Sequence, residues 1–498
     1  MRKRQKQFVR LLALILAALL ALSAVAAIFL ASAHAQGEGT ETADRYTLDM
    51  EFLEEEQALR IRQRLVYTNR TGEALDRVEF SAYANMFRRQ SALMYETDAL
   101  GAVLPEGYAP GGVAIERVLV DGEAADWGMA GDEELFLRVE CGLEPGETCA
   151  FDFEYTLLLT RNAASLGVGE SDWRLRGFYF QALRREDGMF VATDPLQHVN
   201  YVYADRADYE LTVTLPERYL LAGPGEVKAL DNDDGTRAWT LSAEGLRELC
   251  VSFGMRWREY AGETASGTRV RVLASSRGGG PRALETALET LETYENWFGK
   301  LPWDVTLAQS DYALEALSLP GLIWANEDAL FNAMALRRAL AKQFFGYGAY
   351  AMPTRDAWLS EATGEYVAYL ALEESDGREA FLQALNEDVL PAAQFMLPGG
   401  LEITSDGALF SASEYTTVVR ERGALVMHEM RAAMGRAEFL EGLRLFYQRG
   451  LAGDVMGEYD LVYALNDASG GDWEAFLTDW LFNISEYYQE SYTIDAIE

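Results

Sequence analysis

Histidine is scarce: the 498 residues hold three, His34, His198 and His428. His34 lies in an apolar leader, and His198 and His428 are far apart and in no ligand-spaced motif. No helix of this chain can therefore turn two imidazoles, one turn apart, toward a single metal ion. Cysteine is equally thin, at three, so at most one disulfide can close. Basic residues are outnumbered, 43 Lys and Arg against 79 Asp and Glu, for a formal net charge of −36. That balance disfavours nucleic acid and anionic membrane surfaces as partners. No G-x-S-x-G elbow, P-loop or dinucleotide fingerprint is present. Gly278-Gly279-Gly280 before Pro281 is a loop that opens a helix, not a phosphate cradle.

What is present begins with a leader. MRKRQKQFVR carries five positive charges and no negative one, residues 11 to 32 are almost wholly apolar, and Ala33-His34-Ala35 offers a small-x-small cleavage site before Gln36. This pattern is that of an export signal, and the apolar run is also long enough to stay as an uncleaved membrane anchor. The protein is expected to be exported, either secreted or tethered at the outer face of the cell membrane, and to touch a membrane only through residues 1–35. No Cys follows the apolar run, which argues against a lipid-anchored form. Without the leader the chain keeps 38 basic and 79 acidic residues, a net charge of −41.

From Asp44 to Tyr260 the pattern is that of strands. Leu59 to Tyr67 alternates apolar and polar, Asn69-Arg70-Thr71-Gly72 turns it, and Tyr209 to Pro216 and Ala238 to Leu241 continue it. Leu135, Leu137 and Val139 are in phase with Cys141, and Phe151, Phe153 and Tyr155 with Cys149, across the turn Gly142 to Thr148. Both thiols are expected on the apolar face of one hairpin and bonded in a cross-strand disulfide, with two free buried thiols as the alternative. Cys250 reads as a buried strand residue. After Tyr260 helices take over. Pro281 opens one with Leu284, Leu288, Leu291 and Phe298 on a single face, stopped by Gly299. Further amphipathic segments lie near 377–388, 412–433, 436–448, 459–467 and 472–482.

The most specific stretch is Leu336 to Tyr366. Leu336, Leu340 and Phe344 mark a helix, Met352-Pro353 breaks it, and a second helix begins near Asp356. Arg338 and Lys342 are four residues apart on one face, and Glu361 follows Lys342 by nineteen. This layout resembles the zinc helix pair of the gluzincin metallopeptidases, specifically the membrane alanyl aminopeptidase family. There the first helix reads H-E-x-x-H-Q-W and the third zinc ligand is the Glu of W-L-x-E, nineteen residues after the second His. Here Lys342-Gln343-Phe344-Phe345 and Trp358-Leu359-Ser360-Glu361 stand at those places. By that resemblance Arg338 and Lys342 replace the two His ligands, Ala339 replaces the general-base Glu, and Glu361 is the one ligand kept.

Two more positions follow from the same resemblance. Glu315-Ala316-Leu317-Ser318-Leu319-Pro320-Gly321-Leu322 lies where the family reads G-G-M-E-Y-P-G-L, so Ser318 stands at the Glu that holds a substrate's amino group. Arg420-Glu421-Arg422-Gly423-Ala424-Leu425-Val426 resembles Y-x-K-G-A-L-V, with Arg420 at the Tyr that stabilises the tetrahedral intermediate. Tyr415 lies near this motif but out of phase with it. Softer likenesses, Tyr83 to Arg88 to a strand end and Ala207 to Leu211 to a strand, fall in family order.

The resemblance implies an α+β chain: an N-terminal all-β, sandwich-like domain over 37–260, then a thermolysin-like, mainly helical domain over 261–498. It also implies an alternative function, zinc-dependent removal of N-terminal residues from peptides. The residues argue otherwise, since a guanidinium is never a metal ligand and Lys342 ligates only after losing its proton. The reading is a pseudo-peptidase with no metal, no cofactor and no catalytic residue, acting as a binding or structural module with an unidentified protein or peptide partner. Glu361 is expected to pair with Arg338, Lys342 or both, with Arg420 approaching.

Overall fold

The computed structural model describes residues 43–90, 99–275, 279–395, 400–487 and 494. The leader at 1–35 lies outside them. Among the described residues no helix is long and apolar enough to cross a membrane.

Alternation in the first half does what a period of two requires. In Ala58–Thr68, Leu59, Ile61, Gln63, Leu65 and Tyr67 are buried and the residues between them face outward. That strand pairs with Asp44–Leu53 on one side and Thr148–Leu158 on the other. Together they form the middle of an eight-stranded sheet in the order Glu226–Asp231, Thr236–Leu246, Ala207–Pro216, Asp44–Leu53, Ala58–Thr68, Thr148–Leu158, Gly112–Val120, Glu123–Ala124. Its inner face packs on a four-stranded sheet containing Leu75–Ser81 and Phe136–Leu143. Phe80 of the smaller sheet stands edge-on to Phe151 and to Phe153 of the larger one, each at 5.2 Å, the mark of a sandwich interior. A further four-stranded sheet includes Val251–Met255.

Trp257–Glu263 then opens a different, five-stranded sheet in the order Trp257–Glu263, Arg269–Ser275, Val305–Gln309, Leu322–Ala325, Ala316–Leu319. Its three central strands run parallel, and the helical half of the chain packs against it. Helix α1 (Gly280–Phe298) is opened by Pro281 and ended by Gly299 at φ +104°, as the sequence predicts. Helices α2 (Ala333–Lys342), α3 (Ala357–Asp376) and α4 (Gly423–Met434) carry the site. Helix α3 is buried on almost every side, so it is the central helix of this half. Gly423 lets α4 press against it: a Cβ there would stand 2.6 Å from that of Ala362. The fold is thus mixed α and β, a β-sandwich region followed by a helical part.

Two local expectations are corrected. Tyr83–Phe87 is a short 3₁₀ turn rather than a strand end. Cys141 and Cys149 are free and do not face each other across a hairpin. Their strands belong to different sheets, Phe136–Leu143 pairing with Leu75–Ser81, and Thr148–Leu158 with Ala58–Thr68. The apolar phases are as read, but the turn between them carries the chain from one layer of the sandwich to the other.

Candidate functional site

Asn332 starts α2 by accepting hydrogen bonds from the Met334 and Ala335 amides at 3.0 and 3.2 Å. The helix ends in a π-helical turn, Gln343–Gly348, and α3 then returns antiparallel to it. Successive residues along α2 consequently meet successively earlier residues of α3. Arg337 donates to Ser375 at 2.7 Å, Arg338 Nε to Glu365 at 2.9 Å, and Lys342 Nζ to Glu361 at 2.8 Å.

Of the pairings expected for Glu361, that with Lys342 is present and that with Arg338 is not. Arg338 reaches Glu365 one turn further along, and also donates to the Tyr369 hydroxyl at 3.3 Å. Burial pulls its pKa down, but Glu365 and Tyr369 outweigh that and hold it above the ordinary guanidinium range. Arg420 also approaches Glu365 rather than Glu361, at 3.6 Å, and Glu421 at the same distance. Glu365, which no motif singled out, is thus the shared counter-ion of two arginines, with its side chain 1% exposed. Its signal was available: a second carboxylate, four residues after Glu361, on a helix with little polar surface.

Ser318 turns to structural work. Its hydroxyl donates to the Ala339 carbonyl and accepts from Gln343 Nε2, both at 2.8 Å. Gln343 Oε1 in turn accepts from Trp303 Nε1 and the Gly321 amide, both at 3.0 Å. Gly321 sits at φ +66° in the turn before Leu322–Ala325, a conformation that favours glycine. Ala339 itself is buried and brings no functional group.

These side chains surround a cleft of about 330 Å³ that Arg338, Ala339, Lys342, Glu361, Ser318 and Arg420 all line. Tyr415 and His198 line it too, and sequence reasoning left both aside. Tyr415–Arg422 is π-helical, and the wider turn brings residues five apart to the same side. Tyr415 therefore shares the cleft with Arg420, although helical phase separates them on paper. Burial, and the Glu361 carboxylate beside it, push the Tyr415 phenol well above its usual range, so it is a neutral hydrogen-bond donor. His198 stands edge-on to the Tyr415 ring at 5.5 Å. His428 is packed elsewhere, its Nδ1 3.1 Å from the Tyr366 hydroxyl.

The donor set does not fit zinc. Of the three positions that the zinc helix pair devotes to ligands, two hold cations, and both are engaged as hydrogen-bond donors. Lys342 directs its ammonium at the Glu361 carboxylate, the one group there able to ligate. Among the described residues no three His, Cys, Asp or Glu side chains converge as ligands.

No family model matches the chain. In sequence it is 25% identical over 384 residues to aminopeptidase N of Lactococcus lactis subsp. cremoris, covering 70% of this chain and 43% of that protein. It is 25% identical over 242 residues to aminopeptidase M1-B of Oryza sativa subsp. japonica, covering 44% of this chain and 27% of that one. The chain thus spans less than half the length of these relatives. In structure it is similar to the M1 zinc metallopeptidase of Deinococcus radiodurans, with TM-score 0.64 and 18% identity, over 92% of this chain and 96% of that one. A variant of the Deinococcus protein bound to a Tyr-Ser-Ala substrate aligns with TM-score 0.63. The fold is therefore that of the two-domain M1 peptidases, and the sequence is similar to the aminopeptidase N proteins.

Proposed function

We propose that the chain is an exported pseudo-peptidase of the M1 aminopeptidase family, which binds peptides in this cleft without zinc and without hydrolysing them. One observation carries the reading: the Lys342 ammonium is hydrogen-bonded to Glu361 where a zinc ligand would stand. Hydrolysis by a metal-bound water needs an open coordination position and a base; here Ala339 stands at the base position and Lys342 at a ligand position. What the residues retain is recognition. Ala316–Leu319 is the edge strand of its sheet, and its first three residues line the cleft. Beside the Ser318 carbonyl, which accepts from the Tyr347 hydroxyl at 2.6 Å, this outer backbone edge suits an extended peptide, and the basic side chains offer donors.

Metal content and peptide turnover of the purified chain test this together. The expected result is no stoichiometric zinc and no release of N-terminal residues from a peptide mixture followed by mass spectrometry. One zinc per chain, lost on Glu361→Ala, together with residue-by-residue trimming, would overturn it in favour of an active aminopeptidase. Export is tested separately, by the N-terminal sequence of protein recovered from outside the cell.

A further inference from the structure

Three of the Lys and Arg side chains that line the cleft are tied to carboxylates by short hydrogen bonds, and Arg420 is tied only at longer range. Arg176 donates to Glu248 at 2.9 Å, Arg338 to Glu365 at 2.9 Å and Lys342 to Glu361 at 2.8 Å. Arg420 is held by longer ion pairs only. Its two carboxylate neighbours, Glu365 and Glu421, stand at 3.6 Å, beyond hydrogen-bonding length. Glu365 is already engaged by Arg338. Burial disfavours the charge on Glu421, which Arg420 only partly offsets, so its carboxyl sits above the usual range. The Arg420 Nε is shielded from solvent with the Glu365 carboxylate at 3.6 Å, while the side chain as a whole is 30% exposed on the cleft.

A planar guanidinium held only by long ion pairs and partly exposed at a cleft wall is suited to a two-pronged contact with a carboxylate. We propose that the cleft recognises the carboxylate of a short peptide, C-terminal or from an Asp or Glu side chain, through a bidentate contact with Arg420. This deepens the metal-free peptide-binding reading and rests on it. Glu315, Glu361 and Glu365 also line the cleft, so the contact is a local one and not the work of a broadly positive surface. Glu361 and Glu365 are committed to Lys342 and Arg338, and Glu315 accepts from Asn332 at 2.6 Å. The cleft, about 330 Å³, lies at the small end of ligand-pocket sizes. It has room for a short peptide segment and none for a folded partner.

Calorimetric titration with three capped dipeptides tests the proposal: acetyl-Ala-Ala, its C-terminal amide, and acetyl-Glu-Ala amide. The free acid is expected to bind at least roughly 10-fold more tightly than the first amide, the difference of a charged hydrogen bond. The Glu-containing amide then shows whether a side-chain carboxylate serves as well as a terminal one. Arg420→Gln is expected to weaken the free acid about 10- to 100-fold and leave the uncharged amide unchanged. If that variant fails to fold, Arg420→Lys, which keeps the charge and loses the planar fork, is expected to give an intermediate loss. Equal binding of all three probes overturns the proposal, as does an affinity of the carboxylate probes indifferent to both substitutions, or no binding of any probe. Equal binding of all three probes leaves the peptide-binding reading standing, whereas stoichiometric zinc removes that reading first.

Discussion

Lys342 Nζ stands 2.7 Å from one oxygen of Glu361 and 2.8 Å from the other, bridging the end of α2 to the first turns of α3. A turn away, Arg338 does the same with Glu365. The two pairs are not equivalent. Lys342 is 30% exposed and Glu361 10%, whereas Glu365 is 1% exposed and holds two guanidiniums. Water can take over from a lost Glu361, but not from a lost Glu365.

Glu365→Ala is therefore expected to destabilise the fold by about 3–5 kcal/mol, the cost of stranding buried charge. Glu361→Ala is expected to cost about 1–2 kcal/mol, less than a fully buried pair, because Lys342 can reach solvent. Chemical denaturation of both variants gives the order directly. A greater loss at Glu361 than at Glu365 would mean that the Lys342 pair is the main tie between the helices.

If the helix pair keeps its geometry and lacks only ligands, it can be given them back. The triple change Arg338→His, Ala339→Glu and Lys342→His is expected to bind one zinc per chain, with Glu361 as third ligand. Zinc content of the variant, with and without an added Glu361→Gln change, measures this. A folded triple variant that takes up no zinc would show that the backbone at Arg338 and Lys342 has drifted from ligand geometry.

The three thiols are expected to be reduced and to differ in reactivity. Burial pushes Cys141 up to about 11 and Cys149 up to about 12, with nearby acidic groups and, for Cys149, Cys141 adding to it. The thiolate is the reactive form, so alkylation is slow at neutral pH and accelerates as pH rises toward those values. Half-buried Cys141 is expected to react first, and fully buried Cys250 only on unfolding. Mass mapping of timed alkylation resolves the order; a Cys141–Cys149 bridge in freshly isolated protein would contradict it.

His428 ties stability to pH. Burial, with Arg431 and Arg378 nearby, lowers its pKa from 6.5 to about 3, and Tyr366 accompanies it in the core. Between those values the unfolded chain carries the proton and the folded one does not. This contribution is therefore complete above pH 6.5 and shrinks as pH falls, by up to about 1.4 kcal/mol per unit. Asp172 opposes it: burial raises its pKa from 3.8 to about 6, with Arg174 acting the other way. Its contribution grows as pH falls from about 6 toward 3.8. Comparing His428→Gln with the parent at pH 7, 6 and 5 isolates the histidine, since Asp172 is common to both. A stability difference that stays constant over that range would remove His428 from the account.

The nineteen-residue spacing placed Lys342 against Glu361 because two antiparallel helices joined by a short connection have little choice of register. The same register carries Arg338, one turn back, to Glu365, one turn forward. Assigning Arg338 to Glu361 instead treated the site as a single point that all ligands share, which holds around a metal and fails when the chain must neutralise itself. Tyr415 was hidden by the assumption of 3.6 residues per turn, which Tyr415–Arg422 does not obey. The Cys141 and Cys149 phases were legible because alternation reports which face is buried. Strand partners were not, because pairing across a sandwich is decided by segments far away in sequence.

The strand Asp44–Leu53 lies in the interior of its sheet, antiparallel to its neighbour Ala58–Thr68 and parallel to Ala207–Pro216. A chain emerging from its N-terminus offers this strand early, yet its second partner follows only after some 150 further residues. Until then one edge is open to any passing strand, and closing so long a loop is slow. Folding of this half should therefore lag well behind synthesis, leaving a long interval in which a chaperone that masks the open edge decides yield.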